Sequence, residues 1–207
     1  GYNMIDIEAA RENQVTVTNI PYYGSDLVAQ HTFSLITSIA SNIKFYDSLV
    51  REGKWDKRKD YYDSTKPIIE LSGKTLGIMG YGNIGKKVEK IAHSYGLSTI
   101  IYDKVKFNAE NQVSLDELYK RSDIISLNLP LNEETKYIID RTAIEKMKNG
   151  VIIVNTARGG LIVDEDLAEA LNTGKVYGAG LDVISKEPIK MDNPLLECEN
   201  IIITPHI

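Results

Sequence analysis

Cysteine is nearly absent from this chain, and so are long apolar runs and any excess of positive charge. Cys198 is the one cysteine among 207 residues, so no internal disulfide can form. No apolar run approaches the roughly twenty residues that a membrane-spanning helix needs. The net charge of −5 comes from interspersed acids and bases, which provide no basic surface for nucleic acid. We therefore expect a cytoplasmic protein that has neither a membrane nor a nucleic acid as its partner.

The pattern of apolar residues predicts the fold class. Hydrophobic residues make up 43% of the chain, enough for a substantial core. From residue 75 onwards short apolar runs alternate with helical patterns, and the runs at 151–154 and 201–203 are apolar throughout, as in parallel strands buried on both faces. The sequence thus predicts an α/β fold with a doubly wound parallel sheet. The predicted strands are 75–79, 98–102, 123–129, 150–155, 176–183 and 200–204, and the predicted helices are 83–95, 114–121, 165–173 and short helices between 133 and 148.

The residues before position 75 show a different pattern. The pattern predicts the end of a short helix at 8–12, a strand at 15–20 and a turn at 21–24. A long apolar helix is predicted from Ser25 to about Arg51, followed by an ordered linker at 53–72. This helix is too apolar to lie exposed, so it either covers the sheet of its own domain or forms a dimer contact, or both.

A glycine-rich turn lies between the first predicted strand and the next helix. Its sequence is Gly80-Tyr81-Gly82-Asn83-Ile84-Gly85, and Asp103 ends the following apolar run about twenty residues further on. In dinucleotide-binding folds the first glycine allows a tight turn, the second admits a pyrophosphate, and the third lets helix and strand pack closely. A glycine-rich turn alone is common, but this strand, helix and acid together predict a Rossmann dinucleotide site. The acid favours NAD, because it bonds a ribose 2′-hydroxyl and repels a 2′-phosphate, although Lys104 lies beside it.

Polar residues with complementary chemistry follow the later strands. They are Arg158, Asp182, Glu187 and His206. Because the carboxyl ends of parallel strands share one edge of a sheet, we expect these side chains at the edge that holds the glycine turn. An arginine binds a carboxylate or polarises a keto oxygen, a histidine exchanges protons near neutral pH, and a carboxylate fixes the tautomer of that histidine. With a nicotinamide, this set is sufficient to interconvert a 2-hydroxy acid and a 2-keto acid.

Each of these residues also has a simpler interpretation. Arg158 could be a surface charge, Glu187 a solvated loop acid and Asp182 a loop cap, and the patterns around them favour the functional interpretation in each case. His31 and His93 lie inside predicted helices, so we interpret them as packing or surface residues. Cys198 has no adjacent base and is interpreted as structural or inert.

In these residues and motifs the chain resembles the D-isomer-specific 2-hydroxyacid dehydrogenase family. The motifs that carry the resemblance are the glycine turn, Asn155-Thr156-Ala157-Arg158-Gly159-Gly160, Leu181-Asp182-Val183 with Glu187-Pro188, and Thr204-Pro205-His206. The resemblance implies that His206 is the acid/base, Glu187 its partner and Arg158 the substrate anchor, with Asp182 near the nicotinamide carboxamide. It implies no metal, and it extends the cofactor contacts to Leu129, Pro130, Thr156, Ala157 and Arg158. One departure is Asn128, near which many relatives carry a histidine at the adenosine edge.

Length is the larger departure. Members of the family resemble two-domain proteins in which the cofactor domain is inserted into a substrate domain built from both chain ends. We therefore expect residues 1–24 to be a remnant of the substrate domain, left by a cut N-terminus. Residues 25–207 would form the NAD-binding domain, including the long helix at 25–51. The resemblance also implies a homodimer, and we expect the chain alone to bind NAD but to turn over poorly.

The resemblance implies an NAD-dependent oxidoreductase for D-2-hydroxy acids. Trp55 and residues 67–74 favour the glycerate dehydrogenase (hydroxypyruvate reductase) branch over the D-lactate branch. Phosphoglycerate dehydrogenase or another 2-hydroxyacid dehydrogenase stays open as an alternative. A non-catalytic NAD-sensing corepressor module is a further alternative, but such a module would not need Arg158, Glu187 and His206 together.

Overall fold

Helices and strands alternate along most of the chain. The computed structural model describes residues 5–20, 23–57, 60–107 and 109–207. The helices of these segments are α1 (Ile7–Glu12), α2 (Ser25–Ala40), α3 (Ile43–Arg51), α4 (Asn83–Ser94), α5 (Leu115–Arg121), α6 (Arg141–Lys146) and α7 (Asp164–Asn172). The strands are β1 (Thr75–Met79), β2 (Ser98–Tyr102), β3 (Ile124–Leu127), β4 (Val151–Asn155), β5 (Val176–Leu181) and β6 (Ile201–Ile203).

The strands form one parallel sheet of six strands in the order β2-β1-β3-β4-β5-β6. After β1 the chain first adds β2 on one side, and then crosses to add β3 on the other side. In such sheets ligands bind beyond the carboxyl ends of the strands, at the point where the strand order reverses. The predicted doubly wound sheet is therefore confirmed, and its reversal point lies at the end of β1.

Apolar side chains cover both faces of this sheet. Alternate residues of a strand point to opposite faces. Ile152 and Val154 of β4 belong to the apolar cluster that α2 and α4 complete, whereas Val151 and Ile153 belong to the cluster of α5, α6 and α7. The continuous apolar runs of the sequence follow from this burial on both sides.

Helix α2 lies directly on the sheet of its own domain. A Cβ atom added to Gly178 would lie 2.7 Å from Ile39, and one added to Gly180 would lie 2.8 Å from Leu35. These two glycines of β5 thus let the helix approach closer than any larger residue would allow. Of the two roles predicted for this segment, covering the sheet is confirmed.

The single helix predicted from Ser25 to about Arg51 is wrong, because the segment forms two helices. Asn42 separates them with a left-handed backbone at φ 52°. Asparagine tolerates this conformation better than most residues. The Asn42 amide also donates hydrogen bonds of 2.7 Å to the Pro67 carbonyl and to the Tyr177 hydroxyl, which hold the break in place.

The strand predicted at 15–20 is also wrong. These residues carry no strand assignment, since no strand of the described segments pairs with them. The predicted turn at 21–24 lies partly outside the described residues, which omit Pro21 and Tyr22. The predicted strands 123–129 and 176–183 end earlier, at Leu127 and Leu181, where the chain leaves the sheet. One helix, α6, stands where short helices were predicted between 133 and 148.

Candidate functional site

The glycine turn at the end of β1 is built from close backbone contacts. Gly80 has φ 95°, and a Cβ atom on it would lie 2.7 Å from the carbonyl oxygen of Asn128, which follows β3. A Cβ atom on Gly85 would lie 2.2 Å from the carbonyl oxygen of Gly80. The first glycine therefore joins the ends of two neighbouring strands, and the third lets α4 begin directly against the turn.

The second glycine faces open space. A Cβ atom on Gly82 would have no neighbour within 4 Å among the described residues. Helix α4 begins at the next residue, and no side chain caps its N-terminus in the described structure. An uncapped helix N-terminus presents backbone N–H groups and a partial positive charge, which favour an anion. This part of the turn fits a pyrophosphate.

Asp103 connects the end of β2 to the glycine turn. Its Oδ2 accepts a hydrogen bond of 2.6 Å from the Tyr81 backbone N–H, and its Oδ1 accepts one of 2.8 Å from Val105. The next residue, Lys104, directs its ammonium group to Glu134, whose carboxylate oxygens lie 2.7 and 2.6 Å away. The acid predicted for the ribose is thus held at the turn, and the neighbouring cation is already paired.

Tyr81 is fixed on the outer side of the turn. Its ring stacks on Phe107 at 4.7 Å between centroids, and its hydroxyl donates a hydrogen bond to Glu89. This hydrogen bond, together with partial burial, raises the pKa of Tyr81 to about 12. The tyrosine therefore stays neutral near pH 7, and its side chain anchors the residue whose N–H holds Asp103.

Asn128 has an unsatisfied buried atom beside the turn. Its amide nitrogen donates to the Ser126 carbonyl at 3.2 Å, whereas its Oδ1 is buried and has no hydrogen-bond partner in the described structure. Unpaired buried polar atoms are uncommon and require an explanation. Leu129 is buried and Pro130 exposed on the same segment. The open helix end, the held carboxylate and this free acceptor together fit a dinucleotide.

A second group of residues follows β4. Asn155 is fully buried, and its side chain accepts from the Ala157 N–H at 3.0 Å and donates to the Arg158 carbonyl at 2.9 Å. A Cβ atom on Gly159 would lie 1.8 Å from the Ile184 carbonyl oxygen, so this loop packs directly against the loop after β5. The loop that carries Arg158 is consequently held on both sides.

The other predicted residues of this loop are placed by short contacts. The Thr156 hydroxyl lies 2.8 Å from the hydroxyl of Thr32 on α2. The Arg158 guanidinium donates a hydrogen bond of 2.6 Å to the Ala157 carbonyl. Helix α2 therefore supports the loop from the side of the sheet that it covers.

His206 and Glu187 form a pair at the ends of β5 and β6. Nδ1 of His206 lies 2.7 Å from Oε2 of Glu187, whose other oxygen accepts from the Ile184 N–H at 3.1 Å. Because the glutamate is anchored to the backbone, it fixes the orientation of the imidazole. The side chains are 51% and 39% exposed, so the pair is open to a ligand.

Asp182 lies beneath this pair and is 5% exposed. Its Oδ1 accepts hydrogen bonds from the Thr204 hydroxyl at 2.5 Å and from the Ile207 N–H at 3.1 Å. His31 of α2 reaches the same group, with Nε2 2.9 Å from the Thr204 hydroxyl and 3.5 Å from Oδ1 of Asp182. The packing role predicted for His31 misses these contacts, because His31 and Thr204 are 173 residues apart and no local pattern connects them.

The structure brings the predicted residues to one edge of the sheet and leaves the others elsewhere. Every strand is parallel, so the loops after β1, β2, β3, β4, β5 and β6 all lie at that edge. His93 of α4 lies 3.3 Å from the hydroxyl of Thr99, which is near the start of β2 and so away from this edge. Cys198 is buried, and that burial raises the pKa of its thiol, as expected for an inert residue.

Residues 33–207 match the family model for the NAD binding domain of the D-isomer specific 2-hydroxyacid dehydrogenases. The chain belongs to this family. The match includes the glycine turn and every polar residue of the site apart from Thr32 and His31. The Rossmann fold and the dinucleotide predicted from the sequence are therefore those of the family.

Two curated relatives and one solved structure show how far the likeness extends. The chain is 49% identical to a hydroxypyruvate reductase from Blautia hydrogenotrophica and 43% identical to one from Thermotoga maritima, and both matches cover the whole chain. The crystal structure of a D-lactate dehydrogenase from Aquifex aeolicus, complexed with NAD and lactic acid, superposes with a TM-score of 0.87 at 35% identity. That match covers 100% of this chain and 67% of the other.

The chain is shorter than these proteins. It spans 66% of the Blautia relative and 67% of the Thermotoga relative. In the segments that the structure describes, no helix combines the length and apolarity that crossing a membrane requires.

Proposed function

We propose that this protein is an NAD-dependent oxidoreductase that interconverts a D-2-hydroxy acid and a 2-keto acid. The observation that carries the proposal is the His206–Glu187 pair, 2.7 Å between Nδ1 and Oε2, at the same sheet edge as the dinucleotide turn. Family membership and the names of the relatives support it. The Blautia and Thermotoga relatives are named as reductases and the Aquifex structure as a dehydrogenase, and these names do not support the sensor or corepressor alternative.

The side chains of the site divide the chemistry among them. The Arg158 guanidinium binds the carboxylate and polarises the carbonyl of a 2-keto acid. With Nδ1 of His206 directed at Glu187, Nε2 is the nitrogen that donates a proton to the substrate oxygen in reduction and accepts it in oxidation. A nicotinamide bound at this edge would supply the hydride for reduction and take it up in oxidation. Glu187 orients the imidazole through its contact with Nδ1.

The remaining residues hold the cofactor in this proposal. Gly82 and the N-terminus of α4 bind the pyrophosphate, Asp103 binds the adenosine ribose, and Asp182 binds the nicotinamide carboxamide. The full set of proposed cofactor contacts is Gly80, Tyr81, Gly82, Asn83, Ile84, Gly85, Asp103, Leu129, Pro130, Thr156, Ala157, Arg158 and Asp182.

Hydroxypyruvate is the substrate that we propose, with D-glycerate as its reduced partner. The support is the name shared by the two curated relatives, together with the segment around Trp55 and residues 67–74. Phosphohydroxypyruvate is the alternative.

We also propose that residues 1–24 belong to a substrate domain and residues 25–207 to the cofactor domain. Among residues 5–20 no side chain is buried, which supports a boundary before α2.

A homodimer is proposed from the exposed apolar residues Ile43 and Val50 of α3, and sedimentation of the purified protein tests it. A cytoplasmic location is proposed from the single cysteine.

The first experiment follows NADH absorbance at a fixed enzyme concentration. Hydroxypyruvate, pyruvate, 2-oxoglutarate and phosphohydroxypyruvate are supplied separately, both to the 207-residue chain and to a form with a complete substrate domain. We expect hydroxypyruvate to be preferred, and the chain alone to bind NADH but to react slowly, because reduction needs a closed cleft that excludes water. NADH binding without oxidation by any keto acid in either form would contradict the proposed activity.

A further inference from the structure

His31 makes contacts that a packing histidine does not need. It projects from α2 towards the loop after β6, where its Nε2 lies 2.9 Å from the Thr204 hydroxyl and 3.5 Å from Oδ1 of Asp182. Its side chain is 20% exposed and that of Asp182 is 6% exposed. Nε2 of His31 thus lies close to two polar groups at the sheet edge, and one of these groups is a buried carboxylate.

The donors of this cluster can be ordered. The Thr204 hydroxyl has one hydrogen, and at 2.5 Å from Oδ1 of Asp182 it donates that hydrogen to the carboxylate. The same hydroxyl oxygen must then accept from His31, which requires the hydrogen of His31 on Nε2. Hydrogen bonds therefore run from His31 to Thr204 and from Thr204 to Asp182, and they fix the rotation of the Thr204 hydroxyl.

These contacts hold Asp182 by one oxygen only. The Ile207 N–H also bonds Oδ1, at 3.1 Å. No hydrogen bond to Oδ2 occurs within the described segments, so that oxygen is the one left to a ligand. The Asp182 backbone carbonyl accepts from the His206 N–H at 2.9 Å, which ties the same residue to the proposed acid/base.

We propose that His31 is a positioning residue for the nicotinamide end of the cofactor site. By fixing the Thr204 hydroxyl on Oδ1, it directs the free oxygen of Asp182 to accept a hydrogen bond from an amide such as the nicotinamide carboxamide. The inference rests on the proposed function, since it assigns the ligand of that site. It also explains why a polar residue stands on the face of α2 that covers the sheet.

The expected effect of removing His31 on ligand affinity follows from the hydrogen bonds that would be lost. Thr204 would lose its donor, and the carboxylate of Asp182 would be free to turn about its remaining contacts. Losing a hydrogen bond in a network around a buried charge weakens the affected interaction by about tenfold. The loss should reach only ligands that carry the nicotinamide.

The test compares two ligands that differ in that group. NAD⁺ and ADP-ribose are titrated by calorimetry into the wild-type protein and into His31→Leu, His31→Gln and Thr204→Val. We expect His31→Leu and Thr204→Val to weaken NAD⁺ binding by about tenfold and ADP-ribose binding by less than about twofold. His31→Gln should keep most of the NAD⁺ affinity, because its amide can donate to Thr204.

His93→Leu is the matched control, since His93 also lies on a helix and contacts a threonine hydroxyl, at 3.3 Å. It should leave both affinities unchanged. Equal losses for NAD⁺ and ADP-ribose in His31→Leu and Thr204→Val, or no loss for either, would overturn the inference. If the wild-type protein bound neither NAD⁺ nor ADP-ribose, that result would instead overturn the proposed function on which the inference rests.

Discussion

At the scale of single residues, the backbone of His206 has an uncommon conformation. It adopts φ 56°, a left-handed conformation that few residues other than glycine adopt. Its N–H donates to the Asp182 carbonyl at 2.9 Å, and its ring is held by Glu187. Unfavourable backbone conformations persist where the surrounding structure enforces them, and they are frequent at functional sites.

The first prediction concerns the imidazole. In His206→Ala no group can donate a proton to the substrate oxygen, so keto-acid reduction should fall by about 10²- to 10⁴-fold. NADH affinity should stay within about twofold, because the proposed cofactor contacts do not include this side chain. Steady-state rates and NADH titration of the same preparation measure both quantities. With His93→Ala as the control, a rate near that of the wild type would refute the assignment of His206.

At the scale of elements, β1, the glycine turn and α4 form one unit with the loop after β3. Backbone atoms occupy the space beside the first and third glycines, whereas the second glycine faces open space. The three glycines of this motif therefore meet two different physical demands: Gly80 and Gly85 allow close packing, and Gly82 leaves the approach to α4 open.

The second prediction separates these demands. In Gly85→Ala the new methyl group would lie 2.2 Å from the Gly80 carbonyl oxygen, so the protein should lose about 1–3 kcal/mol of unfolding free energy. In Gly82→Ala it would meet no atom and the backbone φ of −74° suits alanine, so stability should change by less than about 0.5 kcal/mol. That variant should nevertheless bind NADH poorly, because the methyl group occupies the approach to α4. Thermal unfolding and NADH titration check the two effects, and intact NADH binding by Gly82→Ala would count against a pyrophosphate at this position.

The third prediction concerns the opposite edge of the sheet. Asp123 accepts hydrogen bonds from the Thr75 N–H at 2.8 Å and from the Lys148 ammonium at 2.9 Å, and so joins the start of β1 to the chain before β3. Partial desolvation of the carboxyl opposes ionisation, but these hydrogen bonds outweigh it and lower the pKa of Asp123 below its ordinary value of 3.8. A lowered folded-state pKa stabilises the protein above the unfolded-state value, and this stability is lost as the pH falls through the folded-state value.

Asp123→Asn should therefore cost about 1 kcal/mol of unfolding free energy at pH 7. The difference from the wild type should begin to shrink as the pH falls below about 4, where the unfolded carboxyl takes up its proton, and should be lost below the lower pKa of the folded state. Urea unfolding at a series of pH values measures it, with the exposed Asp192→Asn as the control. A difference that stays constant down to pH 3 would mean that the charge of Asp123 is not what stabilises the fold.

At the scale of the whole molecule, α2 packs on the sheet, while none of the described residues before it is buried. Ile36 of α2 is fully buried, whereas α1 has no buried residue. The core on this face of the sheet is completed by α2 and α4 together. This face of the sheet is therefore covered in part by a helix that lies well before the first strand in the chain.

The fourth prediction follows from this contrast. A form that lacks residues 1–24 should have an unfolding free energy within about 0.5 kcal/mol of that of the original chain, because none of the described residues in this segment is buried. Ile36→Ala should cost about 2–5 kcal/mol, as expected for a fully buried side chain replaced by a small one. Chemical denaturation of all three proteins provides the comparison. A loss of several kcal/mol on removing residues 1–24 would overturn the proposed domain boundary.

Much of this molecule could be predicted from local patterns. The six strands, the turn at Gly80 and the acid at Asp103 all follow from spacing within short segments, and the structure contains each of them, although β3 and β5 end earlier than predicted. Such features depend on the residues themselves: continuous apolar runs favour burial on both faces, and glycine allows the turn. The order in which Arg158, Glu187 and His206 follow strands was enough to assign them to one edge, since parallel strands all end there.

Other features depended on contacts between distant residues. The break at Asn42 is held by Pro67 and Tyr177, and residues 15–20 form no strand because the described sheet offers them no partner. His31 bonds Thr204 across 173 residues, a pairing that no periodicity contains. The sequence by itself determined the fold class, the cofactor turn and the types of reactive groups, because these follow from local composition and spacing. Only the tertiary structure decided which groups support Asp182 and where the long helix ends, because hydrogen bonds between separate elements exist only after the elements have packed.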